Sequence, residues 1–453
     1  NNTLATNNRK QMKNILIIGA GRSAVILIKY LLDHSLDNSW QITVADFSKD
    51  LAEEAVETHT NGTAIFFDVK DDKQREKEIA NANIVVSMLP ASMHITVARD
   101  CVRLKKNLVT ASYVSKEIAD LDESAKQAGV LLLNEIGLDP GIDHMSAMQV
   151  IDNIKEKGAV VTSFKSFCGG LVHPDYDNNP WNYKFTWNPR NVVLAGQGTA
   201  QYIEQGQYKY IPYNRLFERT ENMKVLDAGE FEGYANRDSL SYRRHYGLDT
   251  ISTLFRGTLR RKGYSEAWNI FVQLGMTDDT YKLQDSSNMT NRDFINMFLP
   301  FDSVLTVEEK FCKEFNLTNK SVIYQKMYWL GIFSDDKIGV KDASPAQLLQ
   351  AMLEKKWMLE DKDRDMIVMQ HQFEYIQNNQ NKKLNSSLVV YGETPRYTSM
   401  AKTVGLPVAI VTKLILNEEI KLKGVKIPTI KEIYIPVLKE LKENGINFIE
   451  ETP

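Results

Sequence analysis

The chain has 453 residues, with 55 Lys and Arg against 58 Asp and Glu, for a formal net charge of −3. Charge that balanced and that evenly spread excludes a broad nucleic-acid surface. A content of 43% hydrophobic and 25% charged residues excludes wholesale disorder, and at roughly 150 residues per domain the length suggests two to three domains.

Residues 1–11 are polar and patternless. They are expected to be a disordered extension or a remnant of cloning, and play no part in the fold argument. From Met12 the pattern is sharp. Apolar, β-branched runs at 14–18, 41–46, 64–67, 84–89, 107–111 and 130–134 read as strands. Helix-patterned stretches at 22–32, 49–59, 70–81, 94–104 and 115–128 separate them. Strands alternating with helices predict a doubly wound parallel sheet over 12–140, a Rossmann-type dinucleotide unit. After Gly141 the texture changes. Residues 160–169 alternate as a strand, 173–190 read as a long ordered loop, and short strand-like runs recur at 191–195, at Ile211 and at 226–231. These predict a mixed α+β domain over 141–264 and 360–397. Residues 265–359 read as a small helical subdomain. Runs at 365–375 and 386–391 suggest a hairpin, and 398–416 and 429–444 suggest C-terminal helices within a 398–453 segment. No apolar run approaches the roughly 18–20 residues that cross a bilayer; the best, 406–416, is broken by Lys413. Cys101, Cys168 and Cys312 are scattered, which argues against a disulfide framework and for a reducing compartment. No metal site is expected, since CxxC, HExxH and paired histidines at ligand spacing are all missing.

Gly19-x-Gly21-x-x-Ala24 lies between the first strand and the first helix. Gly19 permits the tight turn, Gly21 lets the backbone approach a pyrophosphate, and Ala24 keeps the helix close to the strand. The helix start, with Arg22 and Ser23, offers N–H groups and the positive dipole end to phosphates. Asp46 ends the second strand, where an acid accepts hydrogen bonds from both ribose hydroxyls and repels a 2′-phosphate. That favours NAD. NADP enters if Arg22 or Lys49 meets the phosphate. Ser87, Leu89 and Pro90 follow the fourth strand and should pass near the cofactor; His94 just beyond is equally readable as a plain helix-start residue.

The segments Thr-Ala-Ser-Tyr-Val (110–114), Asn-Glu-Ile-Gly-Leu-Asp-Pro-Gly-Ile-Asp-His (134–144), Ser-Phe-Cys-Gly-Gly (166–170), Asn-Arg-Asp-Ser (236–239), Thr-Leu-Arg (258–260) and Ala-Lys-Thr-Val-Gly-Leu-Pro (401–407) resemble the saccharopine dehydrogenase family of the glutamate-forming type. They are most similar to the dehydrogenase half of aminoadipic semialdehyde synthase. The resemblance implies oxidation of the secondary amine of saccharopine by NAD(P), then imine hydrolysis to glutamate and 2-aminoadipate 6-semialdehyde, in lysine metabolism. It implies catalytic roles for Tyr113, Asp139 and Cys168, and substrate contacts from Ser112, Tyr113, Asp139, Arg237, Thr258, Leu259 and Arg260. It brings Leu138, Asp139 and Pro140 to the nicotinamide end. It also implies a homodimer formed through the mixed domain, a cytoplasmic location, and a C-terminal segment packed on the Rossmann unit.

The chemistry suits a tricarboxylate, because Arg binds carboxylates in pairs. Asp143 and His144 read as caps of the following helix rather than ligands. The aromatics Trp181, Tyr183, Phe185 and Trp187 read as packing rather than substrate stacking. The sequence departs from the family at Leu-Val-His (171–173), at Asp-Asn-Asn-Pro-Trp (177–181) and at Arg261, which follows Thr-Leu-Arg. Two alternatives stay open at this stage: an amine dehydrogenase of carboxynorspermidine type, and a dinucleotide-binding homologue without activity.

Overall fold

The computed structural model describes residues 12–453; the extension expected at 1–11 lies outside the described residues. The chain forms two compact units. The first holds the chain up to Asp152 together with Ser399–Asn447, the second Asn153–Thr398 with Phe448–Pro453.

In the first unit, β1 (Lys13–Ile18), β2 (Trp40–Asp46), β3 (Gly62–Phe66), β4 (Ile84–Ser87), β5 (Asn107–Thr110) and β6 (Leu131–Leu133) are all parallel. Their order is β6-β5-β4-β1-β2-β3. Ile15, Ile17, Val44, Val85 and Leu132 are fully buried, as a sheet covered on both faces requires. Helices Val25–Asp33, Lys49–Val56, Asp72–Asn81, His94–Arg103 and Asp122–Ala128 form the connections. Ser48 and Asp71 accept backbone N–H groups at the starts of Lys49–Val56 and Asp72–Asn81, and Ser115 does the same for the short helix Lys116–Ala119, which fixes where these helices begin. The strand order reverses at β1, so the crevice beyond its carboxyl end is where a ligand binds. The unit does not stop at residue 140. Helix Ile142–Glu156 begins directly after Gly141 and belongs to the first unit as far as Asp152.

The second unit contains β7 (Val160–Val172), β8 (Ala200–Glu204), β9 (Gln207–Ile211), β10 (Thr220–Lys224), β11 (Glu230–Ala235), β12 (Thr253–Arg260), β13 (Asp365–Gln377) and β14 (Gln380–Tyr391). In the C-terminal segment, β15 (Gly424–Lys426) extends the first sheet beside β6, and β16 (Ile449–Glu451) pairs with β14. The second sheet runs β10-β11-β12-β7-β13-β14-β16, with the β8–β9 hairpin on β12. Only the central β12–β7 pair is parallel. β13 and β14 form a hairpin with a two-residue turn at Asn378 and Asn379, both at positive φ, as such turns demand.

Three local expectations change. Residues 191–195 do not form a strand: Pro189–Val193 is a helix, with Asn188 accepting the Arg190 N–H and Pro189 at its first position. Residues 226–231 split into a 3₁₀ turn at Leu226–Ala228 and the start of β11. The 265–359 region forms five helices, Tyr264–Leu274, Asn291–Asn296, Val307–Glu314, Val322–Leu330 and Pro345–Trp357, but no core of its own. Phe271, Met327 and Leu353 share one apolar cluster with Phe167 and Leu171 of the sheet.

Helix Ser399–Leu416 spans 18 residues. It is long and apolar enough for a bilayer, contrary to the reading of 406–416, yet 83% of it is buried inside the protein. Gly405 allows this: a Cβ there would lie 2.9 Å from the Leu27 backbone nitrogen. Lys413 reaches Glu440 at 2.6 Å, and Tyr30 donates to the same carboxylate. That pair ties the helix to Lys431–Glu443 within the first unit.

Candidate active site

The glycine loop shows two glycines with different duties. Gly19 has φ of 107°, and a Cβ on it would lie 2.8 Å from the Met88 carbonyl oxygen. That position admits no side chain. Gly21 has φ of −66°, and a Cβ on it would meet nothing within 4 Å. The space beside it is open, which fits the close passage of a pyrophosphate. Ala24 is buried, and its N–H donates to the Gly21 carbonyl in a 3₁₀ turn over Arg22–Ala24. These features fit a dinucleotide.

Asp46 is more occupied than the sequence suggests. Its Oδ2 accepts the Ala20 N–H at 2.7 Å and its Oδ1 the Ser48 N–H at 2.8 Å. The carboxylate thus clamps the glycine loop to the turn after β2. Lys49 pairs with Glu53 at 2.9 Å.

The carboxyl ends of β4 and β5 carry a buried relay. Ser87 Oγ lies 2.8 Å from His94 Nδ1, and His94 Nε2 lies 2.7 Å from Ser112 Oγ and 3.4 Å from Thr110 Oγ1. Burial pushes the His94 pKa down to about 4, so the ring is neutral and its two nitrogens take one donor and one acceptor role. His94 is therefore no ordinary helix-start residue. It couples Ser87 to Ser112, two of the residues singled out from the sequence.

Tyr113 Oη donates to Asp139 Oδ1 at 3.2 Å. The backbone around this pair is held by groups that the sequence reading passed over. Glu135 is buried; its Oε1 accepts the Val114 N–H at 3.0 Å and its Oε2 lies 2.9 Å from His144 Nε2. Asp143 Oδ1 accepts the Gly141 N–H at 2.6 Å. The motif's Glu, Asp and His thus brace the loop, while Leu138, Asp139 and Pro140 ride on it. The only sequence signal for Glu135 was its place inside that motif.

In the second unit, sheet register gathers the remaining candidates. Cys168 on β7 lies opposite Thr258 on β12. Arg237 follows β11, the neighbour of β12, at φ of 50°. Alternation along β12 places Thr258 and Arg260 on one face and the fully buried Leu259 on the other, within the unit's apolar core. The Leu259 side chain is therefore a core group, and only its main chain is left for a ligand. Arg260 is buried against the rings of Tyr183, Tyr264 and Tyr234, at 4.9, 5.3 and 6.0 Å. Burial pushes all three phenols up, so they stay neutral around the cation. Arg260 Nη1 donates to the Leu259 carbonyl at 2.8 Å, while its Nε has no hydrogen-bond partner among the described residues. A buried cation held by π faces in this way retains attraction for a carboxylate. Trp181, Tyr183 and Phe185 are fully buried, which makes the aromatic stretch core.

The saccharopine dehydrogenase NADP binding domain matches residues 15–133, and the saccharopine dehydrogenase C-terminal domain matches 137–446. The chain belongs to the saccharopine dehydrogenase family. It is 33% identical, over 95% of its length and 97% of the relative's, to saccharopine dehydrogenase [NADP(+), L-glutamate-forming] of Pyricularia oryzae. It is also 33% identical to bovine mitochondrial alpha-aminoadipic semialdehyde synthase, spanning 47% of that protein. The solved structure of apo saccharopine dehydrogenase (L-Glu forming) from Saccharomyces cerevisiae superposes at a TM-score of 0.87 with 34% identity, covering 97% of this chain and all of that one. The family is one of oxidoreductases. The preference for NAD drawn from Asp46 is not supported: the matched domain is the NADP-binding one and the fungal relatives are named for NADP(+). The hydrogen bonds to Ala20 and Ser48 give Asp46 a structural duty that does not depend on the cofactor.

Proposed function

We propose that this chain is an NADP-dependent, L-glutamate-forming saccharopine dehydrogenase. Saccharopine, water and the oxidised dinucleotide give glutamate, 2-aminoadipate 6-semialdehyde, the reduced dinucleotide and a proton. The observation that carries the reading is the Tyr113–Asp139 pair at the carboxyl end of the nucleotide sheet, in a chain similar along nearly its whole length to enzymes of that name.

Bound dinucleotide supplies the hydride acceptor. Gly19, Gly21, Arg22, Ser23 and Ala24 would hold its pyrophosphate, Arg22 or Lys49 would meet its 2′-phosphate beside Asp46, the Ser87–Pro90 turn would flank a ribose, and Leu138, Asp139 and Pro140 would lie at its nicotinamide end. Asp139 pairs with the secondary amine, and Tyr113, donating to Asp139, fixes the direction of that carboxylate. The amine gives up its proton to Asp139 or water before hydride leaves the adjacent carbon. Water then adds to the resulting imine, and cleavage of its C–N bond releases glutamate. Ser112 and Thr258 supply hydroxyls, and Arg237 and Arg260 take carboxylates. The reaction calls for no thioester, so Cys168 has no nucleophilic task. Holding the reacting groups in place is the main source of rate. A homodimer and a cytoplasmic location belong to the same proposal, on the family resemblance alone.

The test is the initial rate of reduced dinucleotide formation with saccharopine, run with NADP⁺ and NAD⁺ side by side. A faster rate with NADP⁺ is expected. Faster turnover with NAD⁺ would overturn the cofactor assignment, and preferential turnover of carboxynorspermidine would overturn the substrate.

A further inference from the structure

Three hydroxyls at the carboxyl ends of β4 and β5 share one histidine. Ser87 is fully buried and His94 and Thr110 are each 1% exposed, whereas Ser112 is only half-buried. The ring makes two short contacts, 2.8 Å from Nδ1 to Ser87 Oγ and 2.7 Å from Nε2 to Ser112 Oγ. A contact that short needs a proton between its two atoms, since facing lone pairs would repel. Burial keeps the ring neutral, so it has one N–H to give and one lone pair to receive with. Two tautomers satisfy both contacts, and they treat Ser112 in opposite ways.

With the proton on Nδ1, the ring donates to Ser87 Oγ and Ser112 donates to Nε2. The Ser87 O–H then needs an acceptor of its own, yet among the described residues this fully buried hydroxyl bonds only to His94. A buried hydroxyl proton without an acceptor is costly. With the proton on Nε2, Ser87 donates to Nδ1 and the ring N–H goes to Ser112 Oγ, so no proton is stranded at Ser87. Thr110 does not separate the two cases: its Oγ1 accepts the Ser112 N–H at 3.3 Å in both. In the second tautomer Ser112 Oγ already accepts from the ring, and its own proton is left to point away from His94.

We propose that His94 is a positioning residue, locked by Ser87 as the Nε2–H tautomer, that presents the Ser112 hydroxyl as a donor to a carboxylate oxygen of the substrate. This deepens the saccharopine reading and rests on it for the identity of the acceptor. Ser87 acts on the ring through its side chain and on the substrate only through His94. A hydroxyl committed as a donor suits a carboxylate better than an ammonium group, so the lock also favours an acidic substrate over a polyamine.

The test begins with the tautomer. Long-range nitrogen–proton correlation spectra of the histidine-labelled full chain show which ring nitrogen carries the proton. Loss of a signal in His94→Gln or in His94→Asn assigns it among the seven histidines, and either variant suffices if the other fails to fold. A proton on Nε2 is expected; a proton on Nδ1 overturns the proposal. Kinetics supply the second arm. The asparagine amide reaches only the Nδ1 position, whereas the glutamine amide reaches the Nε2 position and can still donate to Ser112. His94→Asn should therefore raise the KM for saccharopine roughly tenfold, and His94→Gln by less than about threefold. In a Ser112→Ala background the asparagine change should add nothing further. A parent-like KM in His94→Asn, or effects that add, would leave His94 a packing residue and overturn the proposal. A parent chain that does not oxidise saccharopine brings down the substrate reading and the acceptor named here together, whereas a proton on Nδ1 brings down this proposal alone.

Discussion

The two units encode their chemistry differently. In the first, each residue of the proposed nucleotide site sits at or just beyond a strand end, and the βα repeat that puts it there is local in sequence. Its polar groups are satisfied in chains: Ser87 to His94 to Ser112, and Val114 to Glu135 to His144. In the second, Cys168, Thr258 and Met369 become neighbours only through the register of β7 with β12 and β13. Its principal cation, Arg260, is held by three tyrosine rings and one carbonyl. The proposed dinucleotide site can thus be written as a short motif, whereas the proposed substrate groups on the mixed sheet are written in strand pairing.

The sharpest test of the local code is Gly19→Val. A side chain at that φ, driven against the Met88 carbonyl, is expected to cost about 3 kcal/mol or more and to abolish dinucleotide binding. Calorimetry with NADP⁺, backed by a thermal melt, checks it; retained affinity would mean the loop is softer than its geometry implies.

His94 gives the next largest effect, through pH. The unfolded residue titrates near 6.5, whereas the folded one is held at about 4. Between those values the unfolded chain binds the extra proton, so stability should fall as pH drops from 6.5 towards 4 and then level off. The full contribution is on the order of 3 kcal/mol. Denaturant midpoints at stepped pH should show this slope, and His94→Gln should flatten it. An unchanged slope would remove His94 from the account.

Arg260→Lys probes the second unit. Lysine keeps the charge but loses the planar stack on Tyr183 and Tyr264, so the KM for saccharopine should rise roughly thirtyfold, about 2 kcal/mol. Dinucleotide affinity should stay put; if it fell as well, the division of labour between the units would be wrong. Gly21→Ala should leave the melt unchanged, since its Cβ meets only open space, yet weaken NADP⁺ binding by roughly tenfold, about 1.4 kcal/mol. Asp46→Asn removes a charge-assisted bond to the Ala20 N–H. It should lower stability by about 1 kcal/mol in denaturant unfolding, and no loss would mean the clamp carries no energetic weight.

The alternating strands, the glycine loop and the pairing of 365–375 with 386–391 were legible because each has a local signature, period or a strand–glycine–helix order, while the tight turn at Asn378 and Asn379 was not placed. The three-residue strands β15 and β16 carry too few residues for a period to show. The helix at Pro189–Val193 was misread as a strand because Val192 and Val193 outweighed the Asn-Pro start signal. Glu135 and His94 were visible as residues, but their duties are not, since hydrogen bonds to Val114 and Ser112 depend on how neighbouring strands end. The NAD preference failed for a similar reason. A strand-end acid looks the same in sequence whether it awaits a ribose or already holds two backbone N–H groups.

The burial of Ser399–Leu416 in the first unit has a consequence for biogenesis. That unit is begun before Asn153–Thr398 of the second unit are synthesised and completed only after them. Until then the Val25–Asp33 helix, which Gly405 later approaches so closely, lacks its cover. The nascent chain must carry an open apolar surface while residues 153–398 are made, the kind of transient exposure that chaperones cover.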